Sequence, residues 1–95
     1  MNITRTDTFN FKSETEYDKY IASHKYSMQK LEIEGIQEIY WGRATLESLL
    51  IFSILKSKEH ADVIKGIANK WREQHDFDIY DMLVFDGELI ESLRR

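Results

Sequence analysis

The segment that decides the predicted fold is Leu46–Leu55, which reads Leu46-Glu47-Ser48-Leu49-Leu50-Ile51-Phe52-Ser53-Ile54-Leu55. On a helical wheel its apolar side chains point in every direction, and a helix that is apolar all round is normally buried on all sides. Gly42 and Thr45 precede the run and suit the start of such a helix. We therefore predict a central, buried helix over residues 46–55.

Amphipathic helices are predicted on both sides of this segment. Ser13 and Glu16 have the spacing of a capping box, and Ser57 suits the cap of a later helix that runs to about His75. The first apolar stripe, at spacings of three and four, is Tyr17, Ile21, His24, Met28 and Leu31. The later stripe is His60, Val63, Ile64, Ile67, Ala68 and Trp71. Histidines on such stripes are usually hydrogen-bonded and partly buried.

Strands are predicted at the two ends of the chain. The threonine-rich segment 3–11 has apolar residues at 3, 9 and 11, and the segment 79–85 is apolar and rich in β-forming residues. Asp86-Gly87 is a hairpin signal, so 88–93 would form a returning strand, with a helix as the alternative. Residues 31–41 fit either a short strand or a helical turn, and we favour the strand. The predicted fold is α+β, a small antiparallel sheet with about three helices on one face; an all-α fold is the alternative.

The composition restricts the class of protein. The 95 residues suit a single domain over 1–95, and there is no proline to suggest a linker and no cysteine for disulfides or thiolate metal sites. The first residues lack the apolar stretch of a signal peptide, and the apolar run Leu49–Leu55 is too short to span a bilayer. A cytoplasmic protein without membrane contact is predicted. The net charge of −4 disfavours non-specific attraction to nucleic acid.

No motif predicts an enzyme or a cofactor. The four glycines are isolated, no serine lies in a nucleophile-elbow motif, and no cofactor is expected. The only metal-like cluster is His75, Asp76, Asp78 and Asp81. Its spacing fits neither a calcium loop nor a two-histidine zinc site, so we interpret it as exposed carboxylates after a helix and predict no metal site. A metal-dependent enzyme ranks third among the hypotheses.

The favoured prediction is a non-catalytic protein-binding module that occupies a partner's surface, as an immunity protein or a phage anti-defence protein does. The segment 76–95 is strongly acidic, and Tyr26 lies on the outer face of the first helix between lysines. The partner would have a basic surface, because charge complementarity raises association rates. The predicted contact residues are Lys19, Tyr26, Lys30, Asp76, Asp78, Asp81 and Glu88. A second copy could cover the central helix, which would give a homodimer.

A nucleic-acid-binding regulator is the second hypothesis. Lys58, Lys65 and Arg72 repeat every seven residues on one predicted helix face, with Asn69 among them. Such a ladder could follow phosphates. Asp62 and Glu73 flank it in an acidic chain, so nucleic acid is an unlikely partner.

Overall fold

The computed structural model describes residues 1–93, which form four strands and two helices. In chain order these elements are β1 (Ile3–Phe11), α1 (Glu14–Lys30), β2 (Ile36–Thr45), β3 (Ser48–Leu55), α2 (Lys58–Glu73) and β4 (Ile79–Glu88). The strands make one antiparallel sheet in the order β2-β3-β1-β4. The α+β prediction is confirmed, whereas the all-α alternative is wrong. Residues 94 and 95 of the predicted domain lie outside the described residues.

Both predicted amphipathic helices are confirmed with their serine caps, but the Glu16 carboxylate of the predicted capping box accepts from the backbone N–H of Asp78 at 3.0 Å. The Ser13 hydroxyl accepts a hydrogen bond from the backbone N–H of Glu16 at 3.2 Å, which satisfies one of the free donors at the start of α1. Ser57 does the same for α2, accepting from the backbone N–H of His60 at 3.2 Å. The first strand also has its predicted bounds, 3–11.

The central helix predicted over residues 46–55 is wrong, and its absence leaves two helices instead of about three. Leu46 and Glu47 form a turn, and the rest of the segment is β3. Gly42 and Thr45 accordingly lie in β2 and introduce no helix. Alternate residues of β3 face the helices, namely Leu49, Ile51, Ser53 and Leu55, and all four are buried. Leu50, Phe52 and Ile54 face the other side of the sheet. A strand that is apolar on both faces cannot be told from a buried helix by periodicity.

The predicted hairpin at Asp86-Gly87 is also wrong. Both residues lie inside β4, where Asp86 pairs with Arg5 of β1 and Gly87 pairs with Thr4. Residues 89–93 include no strand, although the N–H of Leu89 donates to the carbonyl of Asn2 at 3.0 Å. The strand favoured within 31–41 is confirmed as β2, which begins and ends later than predicted.

The core lies between the two helices and the face of the sheet that they cover. One cluster is aromatic: Phe9 and Phe11 of β1 pack on Tyr17 and Tyr20 of α1. A second cluster is aliphatic and consists of Leu55, Ala61 and Ile64.

Within residues 1–93 no helix covers the opposite face of the sheet, where apolar side chains of β2, β3 and β4 flank the threonines of β1, Thr4, Thr6 and Thr8. Its half-exposed side chains are Tyr40, Leu50, Phe52, Leu83 and Phe85. The rings of Tyr40 and Phe52 lie 6.5 Å apart on neighbouring strands. We call these five residues the open face. Among the described residues, no helix is both long and apolar enough to cross a bilayer.

Candidate functional site

A cavity of about 350 Å³ lies between the helices and the covered face of the sheet. Its size falls within the range of small-molecule sites. Most of the wall is apolar, formed by side chains such as Ile39, Ile51, Ile64, Trp71, Met82 and Val84. A few polar side chains interrupt this wall, contributed by β1, β3, α1 and α2.

Asp7 is one of two charged side chains, with Arg5, that β1 directs toward the helices. Its neighbours in the sheet are Ile51 on β3 and Val84 on β4, neither of which offers a side-chain donor. The Oδ1 atom is buried and has no hydrogen-bond partner. Burial raises the pKa of Asp7 to about 6, because desolvation disfavours the charged form. The charges of Arg5 and Arg72 partly oppose this rise, and Asp86 adds to it.

Arg5, the nearest cation along β1, forms its hydrogen bonds with groups other than Asp7. Its Nε and Nη2 donate to the two carboxylate oxygens of Asp86 at 2.8 and 2.9 Å, and Nη2 also donates to the carbonyl of Ala61 at 2.8 Å. The hydrogen bond from Arg5 lowers the pKa of Asp86. These partly buried hydrogen bonds of Arg5 link β1 to β4 and α2.

His24 contributes a neutral imidazole from α1. Trp41 Nε1–H donates to His24 Nδ1 at 3.0 Å, so the ring proton of the neutral form is on Nε2. Burial, and secondarily the charge of Arg72, lowers the pKa of His24 to about 4. The ring stacks on Tyr20 with centroids 5.7 Å apart. The prediction of a hydrogen-bonded, partly buried histidine is confirmed here.

The basic residues of α2 are arranged differently from the predicted outward ladder. Lys65, Asn69 and Arg72 line the cavity, while Lys58 lies outside it. Arg72 Nη2 donates to Asn69 Oδ1 at 2.6 Å, and its guanidinium lies 5.9 Å from the centre of the Phe9 ring. Arg72 is therefore a cation at the cavity and only half exposed.

The residues predicted to bind a protein partner are spread over several places. Lys19 Nζ donates to the carbonyl of Asp76 at 3.0 Å, and Asp78 pairs with Lys12 at 3.3 Å. Tyr26 is exposed on α1, with the Lys30 ammonium 5.5 Å from its ring centre.

The acidic part of that set does not form one surface either. Asp81 and Glu88 lie near opposite ends of β4, about 23 Å apart at the usual rise of a strand. Asp81 accepts a hydrogen bond from Asn10 at 2.6 Å. Partner binding by these residues stays a prediction.

The side chains of the metal-like cluster, His75, Asp76, Asp78 and Asp81, do not point to a common centre. His75 Nδ1 contacts the carbonyl of Trp71 at 2.8 Å, and its ring stacks on Phe77. Across residues 1–93, no group of three or more histidines and carboxylates is placed to hold a metal ion.

Comparison with known proteins identifies the fold. No family model matches the chain, and no curated protein matches its sequence. Solved structures do match over nearly its whole length. A dimeric ferredoxin-like protein from an uncultured marine organism has a TM-score of 0.77 and 14% identity, covering 99% of this chain and 92% of the other. The chain therefore has a ferredoxin-like fold.

Enzymes are among the structures that share this fold. A monooxygenase from the gene ActVA-Orf6 of Streptomyces coelicolor, solved with the ligand nanaomycin D, has a TM-score of 0.73 and 10% identity, covering 99% of this chain and 92% of that one. SnoaB from Streptomyces nogalater, a cofactor-independent oxygenase, has a TM-score of 0.66 and 10% identity, covering 99% and 98%.

These comparisons contradict the predicted function. The prediction of a non-catalytic binding module of the inhibitor type is wrong, because oxygenases are among the proteins with this fold. The expected absence of enzymatic activity is corrected for the same reason.

Sequence reasoning missed Asp7 and Arg5 as site residues, although the sequence contains a signal for them. Inward positions of β1 alternate as Ile3, Arg5, Asp7, Phe9 and Phe11. Two charged residues within an otherwise apolar alternation indicate either a buried ion pair or a polar site.

Proposed function

We propose that this protein is an oxygenase-type enzyme that binds a small, largely apolar molecule in the cavity between its helices and sheet. The observation that carries the proposal is Asp7, a carboxylate that lines this cavity and whose buried Oδ1 atom has no hydrogen-bond partner. An uncompensated polar group of this kind destabilises a fold, so its presence suits a functional role. The oxygenases among the structural neighbours support the reaction class.

The side chains around the cavity suit such a reaction. Dioxygen has two unpaired electrons and reacts slowly with neutral closed-shell molecules, but faster with electron-rich anions. A carboxylate whose pKa is near 6 can accept a proton from a bound substrate close to neutral pH. Arg72 would stabilise the resulting anion, and the apolar walls would exclude water. For a hydroxyaromatic substrate, the O–H bond and one ring C–H bond break, that ring carbon gains one oxygen atom as a carbonyl, and the second oxygen atom leaves with the two hydrogens as water after the O–O bond breaks. The substrate supplies all four electrons.

Oxygen uptake tests the proposal. The purified protein is mixed with a panel of electron-rich hydroxyaromatic compounds in an oxygen electrode, and products are identified by mass spectrometry after reaction with ¹⁸O₂. Ala68→Trp fills the cavity from α2, whereas Ala22→Trp adds the same side chain at an exposed position of α1 outside it. We expect label incorporation that Ala68→Trp abolishes and Ala22→Trp preserves. A panel that gives no uptake above the buffer rate would contradict the proposal.

We also propose that the open face packs on a second copy of the chain. Large apolar patches on a protein surface usually mark interaction sites. On the edge strand β4, Phe85 is 53% exposed and Leu83 is 59% exposed. Two structural neighbours are described as dimeric ferredoxin-like proteins, which supports a homodimer as the occupant of this face.

A further inference from the structure

We propose that Ser57 and His60, with Glu34 as a positioning residue, form a second catalytic site that hydrolyses small neutral esters through an acyl group carried on Ser57. None of these three residues lines the cavity between the helices and the sheet. The site is therefore separate from the one under Proposed function, and neither proposal requires the other.

The first step of the argument is the contact between a nucleophile and a base. Ser57 Oγ lies 2.6 Å from His60 Nδ1, and both residues are partly buried. A hydroxyl within hydrogen-bond reach of a base that a third group orients is the usual signature of an activated serine. Ser57 also caps α2, accepting from the backbone N–H of His60 at 3.2 Å. A cap needs only that second contact, so the contact with the imidazole is additional.

A second base lies beside the same hydroxyl. Hydrogen bonds from its own backbone N–H and from Ser57 lower the pKa of Glu59. A carboxylate is a weaker base than a neutral imidazole, and a lowered pKa weakens it further. We therefore assign the proton transfer from Ser57 to His60.

The second step is the orientation of the imidazole. Glu34 Oε1 lies 3.7 Å from the other ring nitrogen, His60 Nε2. It favours a proton on Nε2, which leaves Nδ1 free to accept from Ser57, and it stabilises the imidazolium formed during reaction. The Glu34 side chain is 87% exposed, so water weakens this interaction. The backbone of Gly35 packs directly on the ring, since a Cβ there would lie 2.5 Å from it.

The third step is the surface beside these residues. A groove of about 480 Å³ is bordered by His60 and by three carboxylates. Its apolar side chains are Leu31, Ile33, Val63 and Ile67, and its carboxylates belong to Glu32, Glu34 and Glu59. Exposed apolar side chains suit a short aliphatic acyl group, whereas the carboxylates repel anions. The groove therefore favours neutral esters over anionic ones.

The reaction is acyl transfer to Ser57 and then to water. Ser57 Oγ attacks the ester carbonyl carbon while His60 Nδ1 takes the hydroxyl proton, and the bond to the alcohol oxygen breaks as His60 protonates that oxygen. Water then attacks the acyl-serine and passes its proton to His60, which returns it to Ser57 Oγ as the carboxylic acid leaves. The positive end of the α2 dipole, at Ser57, stabilises the oxyanion.

The experiment combines hydrolysis of para-nitrophenyl butyrate with labelling by diisopropyl fluorophosphate, a neutral reagent that phosphorylates activated serines. In wild type we expect a burst of nitrophenol, turnover faster than that of free imidazole at equal concentration, and a label that peptide mass spectrometry locates on Ser57. The hemisuccinate ester of para-nitrophenol carries a carboxylate and should react more slowly than the butyrate. Equal rates for the two esters would overturn the assignment of neutral substrates.

Variants separate catalysis from capping. Ser57→Asn should keep the wild-type denaturation midpoint, because asparagine caps helices as well as serine does, but it should lose the burst and the label. His60→Gln should slow the burst about 100-fold or more, as for the loss of a general base. Glu34→Gln should slow it by a smaller factor, and Glu34→Asp should restore part of the rate.

His75→Gln is the matched control, since it removes an exposed histidine that contacts the carbonyl of Trp71, and it should react as wild type does. No label on Ser57 in wild type, or a burst that Ser57→Asn retains, would overturn the proposal. An unchanged rate in Glu34→Gln would contradict the role of Glu34. The oxygenase proposal is decided separately, by oxygen uptake.

Discussion

Asp7 and His24 face one cavity from its two sides, and burial moves their pKa values in opposite directions. The carboxyl on β1 has a pKa raised to about 6, whereas the imidazole on α1 has a pKa lowered to about 4. Both shifts favour the neutral form of a desolvated group. In wild type the two effects oppose each other between pH 4 and 6, so we expect the free energy of unfolding to change little over that range.

Replacing Asp7 should reveal how the titration of His24 changes the free energy of unfolding with pH. The folded pKa of His24 is below its unfolded value, so the unfolded state binds more protons between pH 4 and 6.5. In Asp7→Asn, the free energy of unfolding should therefore rise by about 3 kcal/mol as pH increases through that window. Urea titrations at half-unit pH steps measure this slope. A flat profile in Asp7→Asn would show that His24 is not desolvated as described.

Replacing His24 should give the opposite slope. The folded pKa of Asp7 is above its unfolded value, so the native state holds the extra proton between pH 4 and 6. In His24→Gln, the free energy of unfolding should fall by about 3 kcal/mol as pH rises from 4 to 6. The glutamine side-chain oxygen can still accept the hydrogen bond from Trp41 Nε1–H, so the variant loses the titrating imidazole but keeps this hydrogen bond. Stability that increases over this range would contradict the raised pKa of Asp7.

Two glycines should respond to alanine in opposite ways. Gly35 has a φ of 97°, and a Cβ there would lie 2.5 Å from the His60 ring, so Gly35→Ala should lower the free energy of unfolding by at least about 1 kcal/mol. Gly66 lies inside α2 with nothing within 4 Å of an added Cβ. Gly66→Ala should raise the free energy of unfolding by about 0.5–1 kcal/mol, because glycine weakens helices. Denaturant unfolding measures the free energy of unfolding of both variants, and equal changes in the two would refute this prediction.

A charge on the open face should dissociate the proposed homodimer. Phe85→Lys places an ammonium where the two sheets would meet, so multi-angle light scattering should show a monomer where wild type shows a dimer. Val63→Lys is the control, since Val63 is 64% exposed on α2 and lies off the sheet. Both variants should keep the wild-type far-ultraviolet circular dichroism. A wild type that is monomeric at all concentrations would exclude this interface.

The elements with local signals were predictable from the sequence. The capping residues and apolar stripes of α1 and α2 are short-range features, and both helices form where those features lie. The helix prediction for Leu46–Leu55 was wrong because the structure of this segment depends on pairing with strands that are distant in sequence. Its outward residues are apolar, and its turn at Leu46 and Glu47 contains none of the usual glycine or asparagine.

The candidate site could be predicted only in part. His24 was expected to be half-buried and hydrogen-bonded, but the identity of its partner, Trp41, depends on how β2 pairs with β3. Asp7 becomes a site residue only because Arg5, which could have neutralised it, is held by Asp86 from the far end of the chain. Contacts between residues so distant in sequence have no local signature.

The central position of β1 affects how the protein folds as it is made. β1 pairs with β3 on one side and with β4 on the other, so Ile3 lies beside both Leu55 and Glu88. During synthesis, β3 emerges roughly thirty residues before β4 is complete, an interval of a few seconds at usual elongation rates. Until then β1 is an edge strand with unpaired backbone groups, open to pairing with other nascent chains. Pairing of β4, rather than formation of either helix, therefore covers this edge of β1.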